Sequence, residues 1–302
     1  MCRPEVEFLT LIHPASKRTK GIFRFSVRAA VSLLYAVAAT ANPPPSRGAS
    51  PANETRTVRV MDYTALSAPI TVVFRYTALV PGAAGQAEIL PSRIALRIHA
   101  AFSKLPPASR LGTEYLTYVL WAVTPEGRAS NLGEIELTGA DGRLNTKMAP
   151  SRFGLIVTAE PYFAVSHPGN AVVFEADLSP GATPTLPVTQ ATCELLSAAG
   201  ADLADPGPPA GSDPAAPLVI EEARRAIAVA QKSGAQELAA ETLATAEHLL
   251  QLTRDLQARG APRKDVVEAG SEAVLVAEDA RVLSVKRRKQ SRQGSVITDS
   301  CH

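Results

Sequence analysis

The sequence predicts a chain of mixed class: an immunoglobulin-like antiparallel β-sandwich, a Pro-rich linker and an antiparallel three-helix bundle. Three observations carry this reading. Short runs rich in β-branched and aromatic residues recur between Thr55 and Ala176, Pro and Gly crowd the stretch from Asp177 to Pro217, and beyond Pro217 apolar residues return at helical spacing. At 302 residues the chain exceeds one ordinary domain of about 100 to 150 residues, which fits two folded modules.

Residues 1–41 read as an export signal. Lys17, Arg18, Lys20, Arg24 and Arg28 precede an apolar stretch from Ala29 to Ala39 that holds Val31, Leu33, Leu34 and Val37. Ala39-Thr40-Ala41 offers the small-x-small pattern that signal peptidase accepts, and Pro43-Pro44-Pro45 cannot continue a helix, so cleavage is expected between Ala41 and Asn42. The apolar run is about half of the ~20 residues that span a bilayer, which disfavours a permanent anchor. No cysteine follows it to accept a lipid. Glu5, Glu7 and His13 are unusual ahead of such a signal and suggest a start site placed too early.

Residues 42–54 form a Pro/Ser/Gly linker. Strands are then expected around Val58 and Val60, over Ile70–Tyr76, and where Ile94, Leu96 and Ile98 alternate with Ala95, Arg97 and His99. Leu116–Val123 follows, closed by the turn Thr124-Pro125-Glu126-Gly127. Gly133–Leu137, Arg143–Thr146, Phe153–Thr158 and Ala171–Glu175 complete the set, and short strands at this spacing indicate a sandwich over 55–176.

The runs Thr113–Glu134 and Phe153–Tyr162 resemble the amino-terminal domain of uncharacterised acidobacterial envelope proteins, over about Val58 to Phe174. In those proteins a helical segment and an OmpA-type domain often follow, so the resemblance implies an envelope setting and no specific chemistry. Leu120–Gly127 is also similar, more loosely, to a strand and turn in the extracytoplasmic sandwich of anti-sigma-K factors, which bears on fold alone.

Residues 177–217 read as a semi-extended tether, with one short strand at Thr192–Leu196. The bundle is expected over 218–290. Its first helix places Ile220, Ala223, Ile227 and Ala230 on one face and Glu221, Glu222, Arg224 and Arg225 largely on the other. A second helix from Ala235 sets Leu238, Leu249, Leu252 and Leu256 on a stripe and ends at Gly260, a left-handed cap. The third runs from Pro262 to Gln290, burying Val266, Ala273, Ala277 and either Leu275 or Val282. Val219–Arg281 resembles a helical domain of unknown function that precedes OmpA-type domains in outer-membrane proteins. The OmpA-type domain itself would lie beyond His302, so no peptidoglycan-binding residue is carried over. Residues 291–302 read as a disordered tail.

Candidate chemistry is sparse. With 31 basic and 29 acidic residues the net charge is +2, which gives no field for nucleic acid. Cys2, Cys193 and Cys301 lack metal-ligand spacing; Cys193 and Cys301 are able to pair outside the cytoplasm, but two free thiols are the preferred reading. His13, His99, His167, His248 and His302 stand apart from any serine elbow, phosphate loop or calcium ladder. Lys286, Arg287, Arg288, Lys289 and Arg292 form a basic cluster suited to a helix carboxyl end. No catalytic, metal or cofactor site is expected. The preferred function is an exported structural or protein-interaction module at the periplasm or outer-membrane periphery, with an envelope protein as partner. The alternative is a carbohydrate- or small-ligand-binding sandwich using Tyr115, Tyr162 and Phe163.

Overall fold

The computed structural model describes residues 54–178, 186–196 and 217–299, all within the compact unit Gly48–His302. The proposed cleavage residues Ala39, Ala41 and Asn42, together with Cys2 and Cys301, lie outside the described residues. Period-two alternation shapes the amino-terminal part into β1 (Glu54–Asp62), β2 (Ile70–Tyr76), β3 (Ala84–Pro91), β4 (Leu96–Ser103), β5 (Thr117–Val123), β6 (Ala129–Glu134), β7 (Glu136–Thr138), β8 (Asp141–Met148), β9 (Arg152–Glu160), β10 (Val172–Ala176) and β11 (Val188–Leu195). Their order is β11-β1-β9-β10-β2-β3-β4-β8-β7, with β5 joining both β9 and β6, and the strand pairs are antiparallel.

The sheet curls towards closure. β6 pairs with β5 at one end, and one residue later β7 pairs with β8 at the other. Ile135 bridges the two and donates its N–H to the Tyr118 carbonyl at 2.8 Å. The enclosed core is aromatic: Phe74, Phe102 and Phe174 meet at centroid distances of 5.1–6.2 Å, and Tyr63 stacks on Phe153 at 4.2 Å. β3 was not among the expected strands. Its inward residues are Gly85, Ala87 and Ile89, of which Gly and Ala are poor strand formers, yet a larger residue at Gly85 would collide with the Phe102 ring.

Other differences are local. Ile94 is exposed and precedes β4 instead of facing inward, because Ser92 closes a turn on the Ala95 carbonyl. The short strand expected at Thr192–Leu196 is the end of β11, which pairs with β1 from Glu54↔Leu195 to Met61↔Val188. This part of the expected tether is therefore integral to the sheet.

The helices are α1 (Leu218–Lys232), the single turn α2 (Ala235–Leu238), α3 (Ala240–Ala258) and α4 (Arg263–Asp299). The helix expected from Ala235 breaks at Ala239, where φ is −149°. α4 continues past Gln290 to Asp299, into the segment expected to be a tail. Leu252, expected on the apolar stripe, is exposed, and so are both Leu275 and Val282, one of which was expected to be buried; α3 and α4 instead bury Leu243, Leu250, Val274 and small alanines.

The helices share a core with the sheet. On β5, Tyr118, Leu120 and Ala122 face the aromatic core, while Val119, Trp121 and Val123 face the helices. On β9, Ile156 joins the helix side and Leu155 and Val157 the other. Both strands are therefore covered on both faces, as their near-continuous apolar sequences require. The expected separation of sandwich and bundle gives way to a continuous apolar contact. Alanines at 223, 226, 230, 273, 277 and 280 let α1 and α4 approach closely, and any side chain at Gly270 would press on Val219. Arg287 and Arg288 donate to the carbonyls of Leu238 and Ser233, so two members of the basic cluster cap the carboxyl ends of α2 and α1. Among the described residues no helix is long and apolar enough to cross a membrane.

Candidate functional site

A seam of buried polar groups runs between the sheet and the helices. Trp121 donates its indole N–H to the Thr158 hydroxyl at 2.8 Å, Thr158 donates to the Glu160 carboxyl, and the Gly169 N–H donates to the same carboxyl oxygen at 2.7 Å. Beside them Glu278 of α4 accepts from the Tyr162 hydroxyl at 2.8 Å and the Ser166 N–H at 2.9 Å, and twice from Arg281 at 2.7 Å. Burial alone would pull the Arg281 guanidinium down, but its bonds to Glu278 and the carboxylate charge hold it above its ordinary value. Burial, and then the Glu278 charge, pushes the Tyr162 hydroxyl up.

Burial pushes the Glu160 carboxyl up to about 8 from an ordinary 4.5, with the Glu278 charge adding to the rise and the Thr158 and Gly169 donors opposing it. Between those two values the folded state keeps a proton that the unfolded chain has lost, so stability falls as pH rises through the window, by up to about 1.4 kcal/mol per pH unit from one such group. Thermal midpoints are expected to drop from pH 5 to pH 8. Glu160→Gln is expected to reduce that slope; an unchanged slope would refute the assignment.

Next to the seam, a cleft of about 700 Å³ opens between β5, the β6–β7 bend and helices α1 and α4. Two carboxyls converge on it. Glu222 is 2% exposed on α1 and accepts the Phe163 N–H at 3.1 Å. Glu134, on β6, accepts from the Thr117 hydroxyl at 2.5 Å. Burial, reinforced by the charge of Glu134, pushes Glu222 well up; burial, reinforced by Glu136, raises Glu134 against the Thr117 bond. Both carboxyls therefore hold a proton more tightly than a solvated glutamate does.

The three aromatic residues singled out from sequence do not form one platform. Tyr162 is fully buried and committed to Glu278, so it is withdrawn as a partner contact. Tyr115 packs half-buried on the sheet core, and burial, with the charges of Glu114 and Glu160, pushes it up to about 12. Phe163 alone reaches the cleft.

The histidines stay apart. His99 lies 4.0 Å from Glu88 on the exposed face, and His248 is exposed on α3. His167 Nδ1 is 3.0 Å from the Ser166 hydroxyl, which also accepts from Arg281; burial, then Arg281, lowers its pKa. Cys193 is a free, buried thiol, raised by burial. Among the described residues no group of three or more His, Cys, Asp or Glu is placed to hold a metal.

Glu222 and Arg225 were expected on the polar face of α1 and are both buried. A sequence signal existed: Val219, Ala226 and Val229 stand three before, four after and seven after Glu222, which puts it on an apolar stripe. Comparison with protein-family models, curated proteins and solved structures finds no match to this chain.

Proposed function

We propose that the chain is an exported, non-catalytic binding module of the cell envelope, placed in the periplasm or at the outer-membrane periphery, that takes a small ligand into the sheet–helix cleft. The observation that carries the reading is the cleft itself: about 700 Å³, walls of mixed apolar and polar residues, and two carboxyls brought to it by separate elements. Sites of this kind typically bury most of a small ligand against apolar walls and orient it with a few polar groups. Export rests on the basic run, the apolar stretch and the Ala39-Thr40-Ala41 pattern. The envelope setting rests on that signal and on the resemblance to acidobacterial envelope proteins.

A protein partner is the second reading, favoured by Leu275 and Val282, exposed seven residues apart on α4. A thermal-shift screen of the exported chain with wall fragments, glycans and amines separates the two. Stabilisation by one class, lost on altering cleft residues, supports the first; no stabilisation by any, with an envelope protein recovered by cross-linking through α4, supports the second. Cytosolic recovery of an uncleaved chain would overturn export.

A further inference from the structure

Resting on the ligand-binding reading, we propose that the cleft takes an organic ammonium ion with an apolar body, its charged head held between Glu222 and Glu134. Among the described residues the Phe163 N–H is the one hydrogen-bond donor to the Glu222 carboxyl, and no ion pair joins Glu222 or Glu134 to a cation. The charged groups facing Glu222 across the cleft are Glu134 and Glu136 from the sheet and Arg263 at the start of α4. Arg263 and Glu136 are both exposed, and Arg225, buried one turn on from Glu222, donates to the Thr113 carbonyl, so the inner pair of carboxyls lines the cleft without an ion-paired cation among the described residues.

A buried carboxylate without a partner is costly and takes up a proton instead. A ligand ammonium supplies the missing charge, and two carboxylates accept its N–H donors through charge-assisted bonds. Leu116, Leu218, Val219, Val266 and Phe163 supply apolar lining that fits an apolar body, with Thr138, Gln257 and Ser271 among the polar lining residues.

The competing ligands fit less well. A hard divalent cation needs about six to eight oxygen ligands at close range, and two carboxyls in so large a space do not supply them. A neutral sugar is ordinarily held by several polar groups with ring stacking, and Phe163 is the one aromatic ring among the lining residues.

An ammonium and a proton compete for the carboxyl pair, whose hold on the proton burial strengthens. Affinity for an ammonium therefore rises with pH below the carboxyl pKa values, by about tenfold per pH unit for one proton released.

The test is titration calorimetry on the full chain with hexylamine and 1,8-diaminooctane, against 1-hexanol and hexanoate, at pH 6, 7 and 8 in buffers of differing ionisation heat. The expected result is binding of the amines with release of about one proton, no binding of hexanoate, and at least a tenfold weaker affinity in Glu222→Gln. That variant removes a buried charge while keeping the side chain's shape, so it is expected to fold, as circular dichroism would verify. Equal binding of hexanol and hexylamine, unaffected by Glu222→Gln, would overturn the ammonium and leave the cleft as a site. Stabilisation by glycans or wall fragments with no amine binding would do the same. Failure of every probe would overturn both.

Discussion

Trp121→Ala is expected to lower the stability of the folded chain by about 3–5 kcal/mol. The ring is fully buried on the helix side of β5, and its neighbours in that core include alanines of α1 and α4. Backbones that rely on small residues for close approach cannot move in to fill the space, so a cavity remains and the cost falls at the high end for a large-to-small change. The truncation also removes the N–H that donates to Thr158, the head of the chain leading to Glu160. Chemical denaturation of the variant measures the loss. Trp121→Phe is expected to recover part of it, while Val73→Ala, on the exposed face of β2, is expected to stay within about 0.5 kcal/mol of the parent. A loss below about 1 kcal/mol for Trp121→Ala would show that this contact does not hold the helices to the sheet.

Glu278→Ala is expected to cost about 3–5 kcal/mol, the range for removing one partner of a buried ion pair. The carboxylate binds Arg281, the Tyr162 hydroxyl and the Ser166 N–H, and the Arg281 side chain is only 11% exposed. Its removal leaves the Arg281 guanidinium without its carboxylate and strips the acceptor from the Tyr162 hydroxyl and the Ser166 N–H at once. Replacing the whole network behaves differently. Glu278→Leu combined with Arg281→Met and Tyr162→Phe is expected to recover most of the loss, because the desolvation costs leave together with the attractions. Denaturation of the single and triple variants checks this. A triple variant no better than the single one would mean that the network fixes the fold through shape as well as charge.

Strand positions were legible because alternation and turn residues leave local marks. Ile70–Tyr76, Leu116–Val123 and Phe153–Thr158 fall on β2, β5 and β9. β3 was not legible, since Gly85 answers to the Phe102 ring across the sheet and not to strand propensity, and the alanines beside it carry little strand signal. Closure of the sheet was equally hidden: it depends on Ile135 carrying one chain segment from β5 to β8, a long-range pairing that leaves no local pattern.

The same limit applies to the site. Apolar residues on both faces of β5 and β9 stated that something must cover each face, but not that α1 and α4 would do so. Without that covering, Glu160, Glu222 and Glu278 read as ordinary solvated carboxylates. Once the helices dock they become the most strongly perturbed groups of the seam and cleft, or, in the case of Glu278, the acceptor on which the seam converges. The aromatic residues misled because Tyr162 follows a strand exit, where exposure is the rule, and here that exit turns directly onto α4.

The cleft exists only where sheet and helices fold as one body. The chain carries a single tryptophan, and Trp121 sits at that contact. Denaturant unfolding followed in parallel by Trp121 fluorescence and by far-ultraviolet helix dichroism reads the two sides together. Coincident transitions with one midpoint are the predicted result. Helix loss at lower denaturant, with the Trp121 signal still native, would contradict it.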